Sequence, residues 1–170
     1  MRYIFRTLAI CILVVGTAVT PAADARDAHQ GEVILTVSGP IYVTSYEGAA
    51  RFDLEMLQTV GSKTFTTTTI WASGVQTFAG VALADLLDVR AVEGGTLRAS
   101  AMNDYAVKIS VSDAVEVGPI VAYALNRAPM SIRDKGPLWI VYPYDSSEKY
   151  RSELIYARSI WHLDRIEVQP

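Results

Sequence analysis

Between Lys63 and Leu87 the chain reads KTFTTTTIWASGVQTFAGVALADLL, and this run limits the fold more than any other stretch. From Lys63 to Trp71 nearly every residue is β-branched or aromatic, which suits a pleated surface and would cost a helix its χ1 freedom. A strand is expected there. Ala72-Ser73-Gly74 reads as a break, after which Phe78-Ala79-Gly80 leads into Val81, Leu83, Leu86 and Leu87. That apolar spacing predicts a short helix starting near Gly80. A strand-to-loop-to-helix passage is where a rigid scaffold presents side chains for chemistry. No Cys, no His and no Ser beside a base occurs in it.

The flanking segments are placed around this run in order. Val33 to Ser38 alternates and is stopped by Gly39-Pro40, which predicts a first strand. Phe52, Leu54, Met56, Leu57 and Val60 recur at helical spacing, with Asp53 as an N-terminal carboxylate and Gly61 as the stop. Beyond the central helix, Glu93-Gly94-Gly95 is a turn. Leu97–Ala101 and Tyr105–Ser110 are then strands of a hairpin around Met102-Asn103-Asp104. Ser112-Asp113 caps a brief helical turn. Ile120 to Leu125 is apolar for long enough to be buried as either helix or strand, and periodicity does not choose. Pro137 to Tyr142 reads as a core strand beginning at its proline, Glu148 to Arg158 is a charged tail segment, and Trp161 to Val168 closes the chain as a strand. Strands interleaved with short helices, without strict alternation, predict an α+β fold with a mixed sheet core.

The N-terminus carries its own signal. Arg2 and Arg6 precede the apolar run Leu8 to Val19, and Ala23-Asp24-Ala25 offers small residues for cleavage, so residues 1–25 read as a secretory signal peptide. The run is too short to span a membrane, and Gly16 and Pro21 interrupt it. A periplasmic or secreted protein is therefore expected, with residues 26–170 as one domain and no membrane span after processing. Cleavage removes Cys11, the one cysteine, so no disulfide or thiolate remains. It leaves 13 basic against 17 acidic residues, a net charge near −4 that gives nucleic-acid binding no support. The full sequence is 51% hydrophobic, and the remaining chain of about 145 residues is long enough to build a packed core.

Chemistry-bearing constellations are few. His29 and His162 are far apart and have no Cys or second His beside them, which argues against a metal site. No nucleophile elbow and no glycine-rich dinucleotide turn is present. Three features remain. Asn103-Asp104-Tyr105 sets an amide, a carboxylate and a phenol at one corner, where a plain turn also suits them. Arg133 and Lys135 flank Asp134 in a loop able to hold an anion, or simply to be solvated. Trp71, Trp139 and Tyr142-Pro143-Tyr144 supply aromatic surface for a pocket or for a core.

Taken in order, WASGVQTFAGVALADLL, NDYAVKIS, IVAYALNRAPMSIRDKGPLWIVYP and SIWHLDRIEV resemble the molybdopterin-binding domain of the sulfite oxidase family, over about Val33 to Val168. The resemblance implies that fold, with molybdopterin as the cofactor and oxidoreductase activity. It also implies a metal-binding cysteine on the segment before the helix, and here the matching position is Thr67 or a neighbour. A threonine hydroxyl is a poor substitute for a soft thiolate. Trp139 stands where the family usually has an arginine after Pro-Leu, which weakens pterin phosphate binding. Tyr105 matches the family's active-site tyrosine, with Asp104 beside it, and Arg133 to Gly136 keeps the loop. The resemblance thus nominates Thr67, Trp71, Asn103, Asp104, Tyr105, Arg133 and Lys135 as the lining of a cofactor-type cleft. The expectation is a non-catalytic protein that takes a small-molecule ligand or an exported protein partner in that cleft. An active molybdopterin enzyme with a non-cysteine ligand set, and a ligand-free scaffold, stay open.

Overall fold

The computed structural model describes residues 31–39, 48–87 and 94–169. The expected signal peptide, His29 and Glu93 lie outside the described residues. Strands β1 (Leu35–Ser38) and β2 (Ala49–Phe52) pair antiparallel and lead into helix α1 (Leu54–Val60). Asp53 caps that helix as its sequence position predicts: Oδ1 accepts the Met56 N–H at 2.8 Å, satisfying one of the amides that a helix start leaves without a partner. Its Oδ2 also accepts the Gly31 N–H at 2.9 Å. Phe52 belongs to β2 rather than to the helix, because it is one of the buried residues on the inner face of the β1–β2 ladder.

The central run departs from expectation in one respect. β3 (Lys63–Thr69) is the predicted strand, but Ala72–Ala82 is a second strand, β4, of 11 residues, and only Leu83–Leu87 turns as helix α2. The expected break at Ala72-Ser73-Gly74 and the expected helix start near Gly80 are both corrected by this hairpin. The physical reason lies at Gly80. β4 is the inner partner of both β3 and β7 (Ile120–Leu125), and its ladder to β7 shifts register between Ala79 and Gly80. A Cβ on Gly80 would stand 2.3 Å from the Val121 carbonyl oxygen, so the glycine admits a close approach of backbones instead of opening a helix.

Two five-stranded sheets result. The first runs β2-β1-β10-β5-β6, with β5 (Thr96–Ala101), β6 (Ala106–Ser110) and β10 (Leu163–Gln169); its β1–β10 pair is parallel and the others antiparallel. The second runs β3-β4-β7-β8, where β8 is Ala128–Pro129, and β9 (Trp139–Val141) pairs with β7 as well. Ile120 to Leu125 is therefore a strand, and its unbroken apolar run fits a position flanked by other strands. Helix α3 (Glu153–Arg158) forms from the charged tail segment and is capped by Ser152, whose Oγ accepts the Ile155 N–H. One buried apolar cluster joins the two sheets, from Leu35 and Val37 through Phe78 and Trp139 to Ile166 and Val168. Among the described residues no helix is long and apolar enough to cross a membrane.

Candidate functional site

A cleft of about 460 Å³ opens where three segments meet: the β3–β4 turn, the β5–β6 corner, and the exit from α3. Each segment is shaped by its own sequence. In the first, Thr69 Oγ1 accepts the N–H groups of Trp71 and Ala72 at 3.2 and 3.1 Å, a side-chain turn that sets Ile70 and Trp71 at the hairpin tip. In the second, Asn103 Oδ1 accepts the Tyr105 N–H at 3.2 Å, and Asp104 takes a left-handed φ of 64°, so the tight corner points Asn103 and Tyr105 toward the cleft. The third is tied to the second, because the Met102 N–H donates to the His162 carbonyl at 2.9 Å. His162 is itself left-handed at φ 56°, and both it and Trp161 line the cleft.

Aromatic packing makes the cleft rigid. Trp71 meets Trp139, Tyr144, Tyr156 and Trp161 edge to face, with ring centroids 5.6, 6.2, 5.9 and 5.8 Å apart. Trp139 is buried and its Nε1–H donates to the Ser159 carbonyl at 3.2 Å, so at this position, where the resemblance implies an arginine, the chain has a core residue. Behind the wall, Tyr144 donates to Ser159 Oγ at 2.7 Å and Ser159 Oγ donates to the Ile155 carbonyl at 2.9 Å. Ser159 lines the cleft, but its hydroxyl proton is already committed, so it forms no nucleophile–base pair with His162. Among the described residues, two side-chain nitrogens are shielded from solvent and have no hydrogen-bond partner, Arg158 Nε and His162 Nε2.

Three of the seven residues nominated from sequence come together here: Trp71, Asn103 and Tyr105. Lys135 is a near neighbour, its ammonium 5.5 and 5.6 Å from the ring centroids of Trp139 and Trp161. Asp104 lies at the same corner but turns outward to an exposed ion pair with Arg165 at 2.6 Å. Arg133 is exposed in its turn and is not part of the lining. Thr67 is buried elsewhere: its Oγ1 accepts the Asp145 N–H at 3.0 Å and donates to the Thr68 carbonyl at 3.2 Å. Asp145 in turn accepts both the N–H and the hydroxyl of Thr68, and those bonds hold its carboxyl below the usual carboxylate range. Among the described residues no group of three or more His, Cys, Asp or Glu could hold a metal ion. With no cysteine among the described residues, and with the Thr67 hydroxyl engaged by backbone, the donor set described does not fit a molybdenum–thiolate centre.

Ile70, Tyr156, Trp161 and His162 also line the cleft, and sequence reasoning did not nominate them. Trp161 and His162 read as the start of a closing strand, and the left-handed backbone at His162 carries no local signature.

The tyrosines behind the cleft set an alkaline limit on stability. Burial raises Tyr144 to about 12, and burial together with the adjacent Asp113 carboxylate raises Tyr142 further. Their folded values exceed the unfolded value near 10, so the stabilisation is fully present below about pH 10 and is lost as pH rises toward the folded values. Each tyrosine should contribute a fall of about 1.4 kcal/mol per pH unit in that window. Urea midpoints between about pH 9 and 12 test this, and Tyr144→Phe should flatten the slope.

No family model matches the chain, and no curated protein matches it in sequence. Among solved structures it is similar to the sulfane dehydrogenase SoxCD from Paracoccus pantotrophus, with a TM-score of 0.58 at 16% identity. The match covers 79% of this chain and 37% of that one, so the chain spans little more than a third of its neighbour's length. The likeness is one of fold, and it agrees with the α+β arrangement of sulfite oxidase type that the sequence resemblance implies.

Proposed function

We propose that the protein is an exported, non-catalytic member of this fold that takes a small ligand into the cleft between Trp71, Tyr105 and Trp161. The observation that carries this reading is the cleft of about 460 Å³ itself, walled by Trp71, Tyr156 and Trp161 and lined also by Asn103 and Tyr105. The rings supply flat apolar contact for the ligand body, and the Asn103 amide and Tyr105 hydroxyl offer polar atoms to orient it. Loss of metal chemistry is supported by the place of the one cysteine, Cys11, within the expected signal peptide and by the engagement of Thr67.

Tyr105 is the residue to test. It is 58% exposed, and its hydroxyl has no hydrogen-bond partner among the described residues. Tyr105→Phe should therefore leave the melting temperature unchanged. A lost hydrogen bond to ligand should weaken affinity by about two- to ten-fold, and up to roughly a hundred-fold for a charged partner. The fluorescence of Trp71 and Trp161 reads binding during fractionation of low-molecular-mass extracts. Unchanged affinity for a ligand so identified would remove Tyr105 from the site, and stoichiometric molybdenum in the purified protein would overturn the non-catalytic reading.

Export is tested separately. Mass spectrometry of the periplasmic or secreted fraction should find a chain starting near Arg26 and lacking Cys11. Intact Met1 in a membrane pellet would count against it.

A further inference from the structure

Among the described residues β3 pairs with β4 alone, so its far side is a sheet edge. One contact shows which groups face outward. The Thr68 N–H donates to the Asp145 carboxylate at 2.5 Å, and Asp145 is not in β4, so this amide points away from the ladder. In an antiparallel strand the N–H and C=O of one residue lie on the same side, and successive residues alternate. Thr64 and Thr66 therefore turn both backbone groups outward as well, whereas Phe65 and Thr67 turn theirs to β4.

A groove of about 420 Å³ runs beside this edge, with Lys63 to Thr66 on one side and Val117, Pro143 and Asp145 on the other. It shares no lining residue with the aromatic cleft and does not rest on the function proposed for it. Its floor and rim offer apolar footing, since Val117 is 75% exposed and Phe65 is half-buried. Unprotected edges invite strand pairing unless proline, bulges or inward charges block them. Lys63 to Thr69 has no proline, its one charge is at the first residue, and the register shift of its ladder falls between Thr68 and Thr69, beyond the Thr64–Thr66 stretch.

We propose that this edge captures an extended polypeptide segment by strand addition. The segment bonds to the N–H and C=O groups of Thr64 and Thr66, and one of its apolar side chains rests among Phe65, Val117 and Pro143. Asp145 already fills the acceptor position at Thr68 and ends the added strand there. Main-chain bonds give such capture its affinity and the side-chain footing its selectivity. A second copy of this chain is the poorer occupant. Contact over a groove four residues long falls well short of the roughly 1,200 Å² that a stable interface buries, whereas a peptide held weakly needs no such area.

Amide exchange of the full chain, followed by NMR, tests the edge directly. Thr64 and Thr66 should exchange freely while Phe65, Thr67 and Thr68 are protected. A short capped peptide of alternating Val and Thr, added at millimolar concentration, should shift and protect Thr64 and Thr66. The same peptide N-methylated at alternate residues should bind roughly ten-fold more weakly, because it lacks the donors for the edge carbonyls. Thr66→Pro should keep the β3–β4 ladder, since the lost N–H faces outward, and should abolish capture. If that variant fails to fold, the N-methylated peptide carries the comparison. Protection of Thr64 and Thr66 in the free protein would show that the chain covers its own edge, and protection that grows with protein concentration would assign the edge to a second copy. Either result overturns the proposal, as does an unmoved Thr64 and Thr66 at millimolar peptide.

Discussion

Trp139→Ala is expected to lower stability by about 4 kcal/mol, near the upper end of what single core substitutions do. Trp139 is 1% exposed and packs edge to face against Phe78 at 5.3 Å, Trp71 at 5.6 Å and Trp161 at 6.3 Å. Truncation leaves a cavity the size of an indole between β4 and the cleft wall, and rigid neighbours from three elements cannot collapse into it. It also strands the Ser159 carbonyl, which loses the indole N–H inside the core. The damage should reach the cleft, because Trp71 and Trp161 both lean on this ring. Denaturant unfolding supplies the stability change, and quenching of the remaining tryptophans by acrylamide reports the loosened wall. Trp139→Phe, which keeps a ring but not the N–H, should lose markedly less. A loss under about 1 kcal/mol for the alanine variant would mean that the cluster can repack and that the cleft is not held rigid by it.

The second large effect is expected at Gly80. Any side chain there must enter the space between β4 and β7, where an added Cβ would be 2.3 Å from Val121 O and 2.6 Å from Ala122 Cα. Both obstacles are backbone atoms of a strand that also pairs with β9, so neither can swing aside as a flexible side chain would. Gly80→Ala should therefore cost about 3 kcal/mol through parting of the ladder. The gain that alanine usually brings by restricting the unfolded chain is only about 0.4–1 kcal/mol and does not offset it. Amide exchange should show the opening at Ala79 to Ala82 and at Val121 to Ala122 before the first sheet is affected. Gly74→Ala is the control for a glycine in open space: nothing lies within 4 Å of its Cβ position, and the cost there comes from a φ of 74° alone. An unchanged midpoint for Gly80→Ala would contradict the register shift between Ala79 and Gly80.

These two residues also mark what could be read from the chain. Trp139 was legible as part of a core strand, and β3, α1 with its Asp53 cap, the β5–β6 hairpin and the closing strand all stand close to where sequence placed them. Each of those signals is local: β-branched runs, a carboxylate before a helical apolar pattern, a turn of Asn and Asp between alternating segments. Gly80 was misread for the same reason. In sequence, Ala79-Gly80 before an apolar run is a plausible helix entry, and the need for a residue without Cβ arises only from β7, some 40 residues later, pressing against β4.

The candidate site divides along the same line. Trp71, Asn103 and Tyr105 were identifiable because turn chemistry and family resemblance both act on short stretches, and those residues do share the cleft. Thr67 matched by counting along the chain, but strand alternation buries its hydroxyl against Asp145 instead. Trp161 and His162 reach the cleft through a left-handed backbone and a return from α3, and Thr64 and Thr66 turn their backbone groups outward because of the register in which β3 pairs with β4. Sequence by itself determined the α+β class and most element positions. Tertiary structure alone decided which side chains converge and which strand is left with an open side, because both depend on contacts between residues far apart in the chain, which no local propensity encodes.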